Sequence, residues 1–130
     1  MKRQLSIAAG VLAVALTLTG CAGGNADKDA VSKLALSATK SAGGDTEKVA
    51  GAWEWKDGWI VLVRGDGKNS SGSYTNWDAY RFAPSGDSWK RTQHELVDSS
   101  AEPDKTPHKA TCVALAQTDS EAKSCDDLSD

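Results

Sequence analysis

The chain has 130 residues, 15 basic and 18 acidic, with a net charge of −3 when histidines are neutral; 39% of it is hydrophobic. That length holds one domain of ordinary size. No run of Lys or Arg is dense enough to track a phosphate backbone, so nucleic acid is excluded as a partner.

Lys2 and Arg3 open the chain, and a 12-residue apolar run follows from Ile7 to Leu18. This is the charged-then-apolar order of a secretory signal. A helix crossing the hydrocarbon core needs about 20 apolar residues, so the run is too short to span. An ordinary signal closes on small residues, but here Leu18-Thr19-Gly20 leads into the thiol of Cys21. The stretch resembles the lipobox of bacterial lipoproteins. The resemblance implies cleavage after Gly20, a diacylglycerol on the Cys21 sulfur, often with an acyl group on the new amino terminus. It also implies attachment to the extracytoplasmic side of the cell membrane by lipid alone. Each buried methylene contributes about 0.8 kcal/mol, so two or three chains on one residue hold the protein in place. Residues 1–20 are then a signal peptide, and the 110 residues left carry a net charge of −5.

Residues 21–48 form the lipidated end and a tether. Ala, Gly, Ser, Thr, Asp and Lys dominate it, which is linker composition. As a flexible coil its 27 residues after Cys21 span about 28 Å. Val31, Leu34, Ala35 and Ala38 share one face at helical spacing, enough for a helical turn or two.

The composition changes at Val49, where an 82-residue domain begins. Trp53 and Trp55 lie on one side of an extended segment, and Asp57-Gly58 separates it from the β-rich run Trp59 to Val63. Asp-Gly between apolar segments is a strong hairpin signal. Residues 65–73 read as a polar loop. A second hairpin follows, with Tyr80 and Phe82 alternating against Ala79 and Arg81 before a turn at Pro84-Ser85-Gly86-Asp87 and a strand opened by Trp89. The fold class is mainly β: a small antiparallel meander of four or five strands.

Residues 102–109 hold Pro103 and Pro107 and read as an exposed loop. The apolar run from Ala110 to Gln117 suits either a fifth strand or a buried helical turn, because a short apolar run does not discriminate. Thr118 and Glu121 have the spacing of a capping box, so a short terminal helix carries Cys125. With Cys21 assigned to lipid, Cys112 and Cys125 remain as a pair. Twelve residues separate them, unlike a redox C-x-x-C or a metal site, and a disulfide persists outside the cytoplasm. Closing so short a loop contributes about 3 kcal/mol on the chain-entropy model.

Five tryptophans dominate the inventory. Most serve as core, since Trp supplies much buried area per residue, while an exposed few would form a binding face. The candidates are Trp59, Trp77, Trp89 and Tyr74. Arg64-Gly65-Asp66 spells an adhesion tripeptide, but at a strand end its Gly and Asp serve as turn formers. Asp66, Lys68, Asn69 and Ser71 lack the terminal Glu of a calcium loop, so no metal or cofactor is expected. His94 and Glu95 form the one acid–base candidate pair, and neighbours on a strand face opposite sides. No nucleophile-elbow, zinc-protease or P-loop motif occurs. The sequence therefore suits a non-enzymatic envelope binding module whose partner is a cell-wall glycan or an envelope protein. The alternative is a lipoprotein inhibitor or immunity factor gripping a protein at the membrane surface.

Overall fold

The computed structural model describes residues 23–41 and 46–128. Two compact units divide the chain, Met1–Ala30 and Val31–Asp130, and the packing below is that of the second. The lipobox-like stretch and Cys21 lie outside the described residues. No described helix is long and apolar enough to cross a membrane.

The framework is an antiparallel meander of four strands in sequential order. They are β1 (Thr46–Trp55), β2 (Gly58–Asn69), β3 (Gly72–Ser85) and β4 (Ser88–Leu96). The expected meander is thus present, with each connection only two residues long. Lys56 and Asp57 join β1 to β2, Trp55 facing Gly58 across the hairpin, and Lys56 takes the positive φ of 59°. The Asp-Gly signal marks the right hairpin but not its central pair. Gly58 belongs to the sheet: a Cβ there would stand 2.1 Å from the carbonyl oxygen of Phe82. Its glycine serves close backbone approach rather than the turn.

Residues 65–73 are not the loop their composition suggests. β2 continues to Asn69 and pairs with Gly72, leaving Ser70 and Ser71 as the turn. The hairpin tip outruns the core, so Lys68, Asn69, Gly72 and Ser73 are exposed on paired strands. Polar composition there reports solvent on both faces, not the absence of a strand. The third turn lies where expected, with Gly86 at φ 62°.

Two bulges decide which side chains share a face. Val49 faces Val63 and Gly51 faces Leu62, so Ala50 is an extra residue in β1. Arg81 faces Gln93 and Phe82 faces Arg91, so Thr92 is extra in β4. Each extra residue reverses the alternation of its strand.

The sheet is covered on both faces. One core holds Val31, Ala35, Ala52, Trp59, Val61, Val63, Tyr80 and Phe82. The other holds Ile60, Leu62, Ala79, Val97, Ala110, Cys112, Leu115 and Cys125. β2 serves both, which is why Trp59 to Val63 is an unbroken apolar run and wholly buried. Each of its large aliphatic side chains contributes about 1.5–3 kcal/mol on burial.

Helix α1 (Gly23–Ser41) covers the first core through its part from Val31 onward, where Val31 and Ala35 are fully buried. The segment read as a tether therefore carries a 19-residue helix, and the sheet begins at Thr46 rather than Val49. The linker-like composition conceals good helix formers, Ala, Leu and Lys, with no proline among them. Helix α2 (Pro107–Leu115) settles the strand-or-helix question for that apolar run: it starts on Pro107 and buries Ala110, Thr111, Cys112 and Leu115. Of the expected exposed loop, residues 102–106 remain outside the helix and Pro103 is buried.

Helix α3 (Asp119–Ser124) starts at the expected cap, with the Glu121 amide donating to Thr118 Oγ1 at 3.1 Å. The Glu121 carboxylate reaches back one residue further than in the usual box, to the amide of Gln117 at 2.9 Å. The Cys112–Cys125 disulfide joins α2 to the end of α3, with Cα atoms 5.8 Å apart. Lys56 also pairs with Glu121, so the first hairpin and the last helix are tied together.

A groove between helix and sheet as candidate functional site

The four aromatic candidates do not gather into one face. Trp59 is 7% exposed and sits within the first core. Trp77 is half-buried against the second core, on the opposite side of the sheet, with the Arg64 guanidinium 5.4 Å from its ring centre. Tyr74 lies far along the second hairpin, beside Asp66, Lys68 and Thr75. Trp89, half-buried against the first core, lines a sizeable apolar cavity. The remaining two tryptophans also pack on the second core. Trp53 stacks on His108 with ring centres 4.8 Å apart, and the Arg81 guanidinium lies 4.6 Å from Trp55. Cations covering Trp faces extend the second core to its rim.

The cavity around Trp89 is a groove of about 540 Å³ between α1 and the β3–β4 half of the sheet. Leu34 and Ala38 form its helical wall, and Phe82 and Trp89 face them from the strands; Tyr80, Arg91 and His94 complete the lining. Leu34 is 41% exposed, a large apolar side chain left open on the groove side.

Register explains the membership. Tyr80 faces His94 and Phe82 faces Arg91 in neighbouring strands, and residues directly opposite share a face. Because Thr92 is a bulge residue, Arg91 and His94 fall on the same side although three positions apart.

The floor is fixed by hydrogen bonds. Thr39 donates its hydroxyl to the Ala35 carbonyl at 2.9 Å, so its oxygen is left to accept the Tyr80 phenol at 2.8 Å. Tyr80 is 1% exposed. Burial pushes its phenol above the ordinary value, and the nearby Asp78 carboxylate adds to the rise. It stays protonated and holds the helix to the sheet. The His94 imidazole stacks on the Tyr80 ring with centres 4.5 Å apart, and its Nε2 lies 2.7 Å from Asp78 Oδ1. A carboxylate only accepts, so Nε2 carries the proton in this contact. The Arg91 guanidinium stands 5.9 Å from the centre of the Tyr80 ring. Among the described residues Arg91 forms no ion pair, and Asp78 is engaged by His94.

Other sequence candidates have different settings. The partner of His94 is Asp78, not Glu95, which follows from the opposite facing of adjacent strand residues. Arg64-Gly65-Asp66 lies inside β2 rather than on a loop, and Arg64 pairs with Asp66 at 3.2 Å. The Thr75 hydroxyl, 2.7 Å away, and Arg64 hold the Asp66 carboxyl below its usual range. Asn69 Oδ1 accepts the Ser71 amide at 2.8 Å, a turn interaction. Among the described residues no three His, Cys, Asp or Glu side chains are grouped to hold a metal ion.

The groove thus combines an apolar slot with two nitrogen-bearing side chains, Arg91 and His94, on one wall. No protein-family model matches the chain. Comparison with curated proteins and with solved structures gives no match either.

Proposed function

We propose that this chain is a lipid-anchored, non-enzymatic binding protein of the bacterial cell envelope, displayed on the extracytoplasmic side, whose ligand lies in the groove between α1 and the β3–β4 hairpin. The groove itself carries the reading: it has the size, the concavity and the mainly apolar lining with few convergent polar groups of a small-ligand site. The lipobox-like ending at Cys21 supports the location. The absence of catalysis is supported by chemistry: His94 is held by Asp78, and the hydroxyls at the floor are committed to each other and to the Ala35 carbonyl. No nucleophile and no second carboxyl group accompany His94 among the described lining residues, which favours binding over acyl or glycosyl transfer.

Trp89 lines the groove, so occupancy changes tryptophan emission. Peptidoglycan fragments and an envelope lipid extract, titrated separately into the full chain, test the site; one of the two is expected to shift the emission, and Ala38→Phe, which fills the slot, abolishes the shift. No response from either, or an undiminished response in Ala38→Phe, removes the groove from the argument. For the anchor, Cys21→Ala is expected to lose labelled palmitate and leave the membrane fraction. Retention of both label and membrane attachment would overturn it.

A further inference from the structure

Resting on that reading of the groove, the geometry points to its ligand: we infer that it is a free single-chain carboxylate, a fatty acid of medium length. The first argument is what the walls refuse. Leu34 and Ala38 on one side and Phe82 and Trp89 on the other present hydrocarbon and ring surface. The Tyr80 hydroxyl at the floor already donates to Thr39. A glycan laid here would leave hydroxyls desolvated and unpaired, which is costly. An alkyl chain leaves none.

The second argument is charge. Among the described residues the groove lining includes Arg91 and His94 and no carboxylate. The Asp78 carboxylate, which acts on Tyr80 from the same side of the sheet, is occupied by His94 Nε2 at 2.7 Å. Arg91, exposed and without an ion-pair partner among the described residues, presents a planar fork that matches a carboxylate with two parallel hydrogen bonds. A cation over an aromatic ring beside an apolar slot is complementary to an anion at the end of a chain. It repels an ammonium amphiphile and gives nothing extra to an alcohol.

The third argument is size. About 540 Å³ falls in the range of pockets that hold one small molecule. It has room for one alkyl chain, and together with the Arg91 fork this suits a single-chain acid better than a two-chain phospholipid.

The test uses the full chain in nanodiscs of neutral phospholipid, with dodecanoate bearing a terminal diazirine as probe. Cross-links are expected on peptides containing Leu34 and Trp89. Unlabelled dodecanoate should displace the probe, dodecanol about tenfold less effectively, and dodecyltrimethylammonium not at all. Arg91→Gln, at an exposed position that does not carry the fold, is expected to weaken dodecanoate about tenfold and to erase its advantage over dodecanol. Leu34→Asn should weaken dodecanoate and dodecanol alike. Equal displacement by acid and alcohol in the wild type, or an Arg91→Gln chain that still prefers the acid, overturns the assignment. If the probe does not label the groove while peptidoglycan fragments shift tryptophan emission, the groove remains a ligand site and the fatty-acid identity fails alone. If neither probe acts there, both readings fail.

Discussion

Gly58 has less room for a Cβ than any other described glycine, and replacing it with alanine tests the packing of the central strands directly. A Cβ at this residue would stand 2.1 Å from the Phe82 carbonyl oxygen and 3.2 Å from its carbonyl carbon. The first distance is about an ångström inside any normal contact, and the obstructing atoms are backbone, so no rotamer change relieves it. β3 must move away from β2 at the pair Trp59–Phe82, both of which belong to the first core. Overpacking of this kind costs about 1–3 kcal/mol. For a unit of this size each kcal/mol lowers the melting temperature by about 4–8 °C, so a cost near 2 kcal/mol means a fall of about 8–16 °C.

Gly65 provides the control within the same strand. A Cβ there meets its nearest atoms, Glu47 Cγ and the Thr46 carbonyl oxygen, at 3.7 Å, an ordinary contact. Gly65→Ala is therefore expected to be neutral, or to stabilise by up to about 1 kcal/mol through the unfolded chain. Thermal unfolding followed by tryptophan emission measures both. If Gly58→Ala melts with the wild type, or Gly65→Ala falls as far as Gly58→Ala, the close approach of β2 and β3 is not as described and the reasoning fails.

Trp59→Ala is expected to cost about 3–5 kcal/mol, the range for truncating a buried aromatic, measured by chemical denaturation; a change below 1 kcal/mol would return Trp59 to the surface. Replacing both Cys112 and Cys125 with alanine should cost about 2–5 kcal/mol, and non-reduced peptide mapping of the wild type should show the two linked. Tyr80→Phe removes the phenol that Thr39 accepts but leaves Thr39 bonded to Ala35, so the loss is expected to be about 1 kcal/mol with the sheet unchanged by circular dichroism. Lys56 first, and then the Gln117 amide, hold the Glu121 carboxyl below its ordinary value. A lowered folded value stabilises the fold at neutral pH, and that contribution is lost as pH falls below the ordinary glutamate range and through the folded value. Glu121→Gln should therefore flatten part of the acid dependence of the melting temperature between pH 7 and pH 3, and an unaltered slope would contradict the tie between α3 and the first hairpin.

The strands were legible because turns and alternation are local properties. Pro84 to Asp87 carries its own turn chemistry, and Trp59 to Val63 can be buried end to end only where both faces of a strand are covered. The capping residue Thr118 and the cysteine pair were legible for the same reason. The helix α1 was only half legible: Val31 and Ala35 have the right spacing, but their burial depends on Trp59, Val61 and Tyr80, which lie far along the chain. Composition registered the exposed Ala, Ser and Lys of the same segment. The hairpin tip failed from the opposite side, because strands that outrun their core lose the apolar signal while keeping their backbone ladder.

The groove was hidden by one residue. Counting by twos along β4 from Trp89 puts Arg91 on the same face and His94 on the other, which separates the cation from the imidazole and leaves His94 with no partner. Thr92 breaks that count: the residue opposite Phe82 is Arg91, and the residue opposite Tyr80 is His94. The bulge therefore brings Trp89, Arg91 and His94 to one wall, where Asp78 can orient the imidazole. Such a device re-aims side chains at functional places in sheets, and no propensity in Arg91-Thr92-Gln93 announces it. Were Thr92 paired in regular alternation instead of bulged, His94 would turn toward the second core, the groove would lose its imidazole, and Arg91 would stand alone above the Tyr80 ring. The register of β4, more than any single aromatic residue, is what lines this groove with Trp89, Arg91 and His94 together.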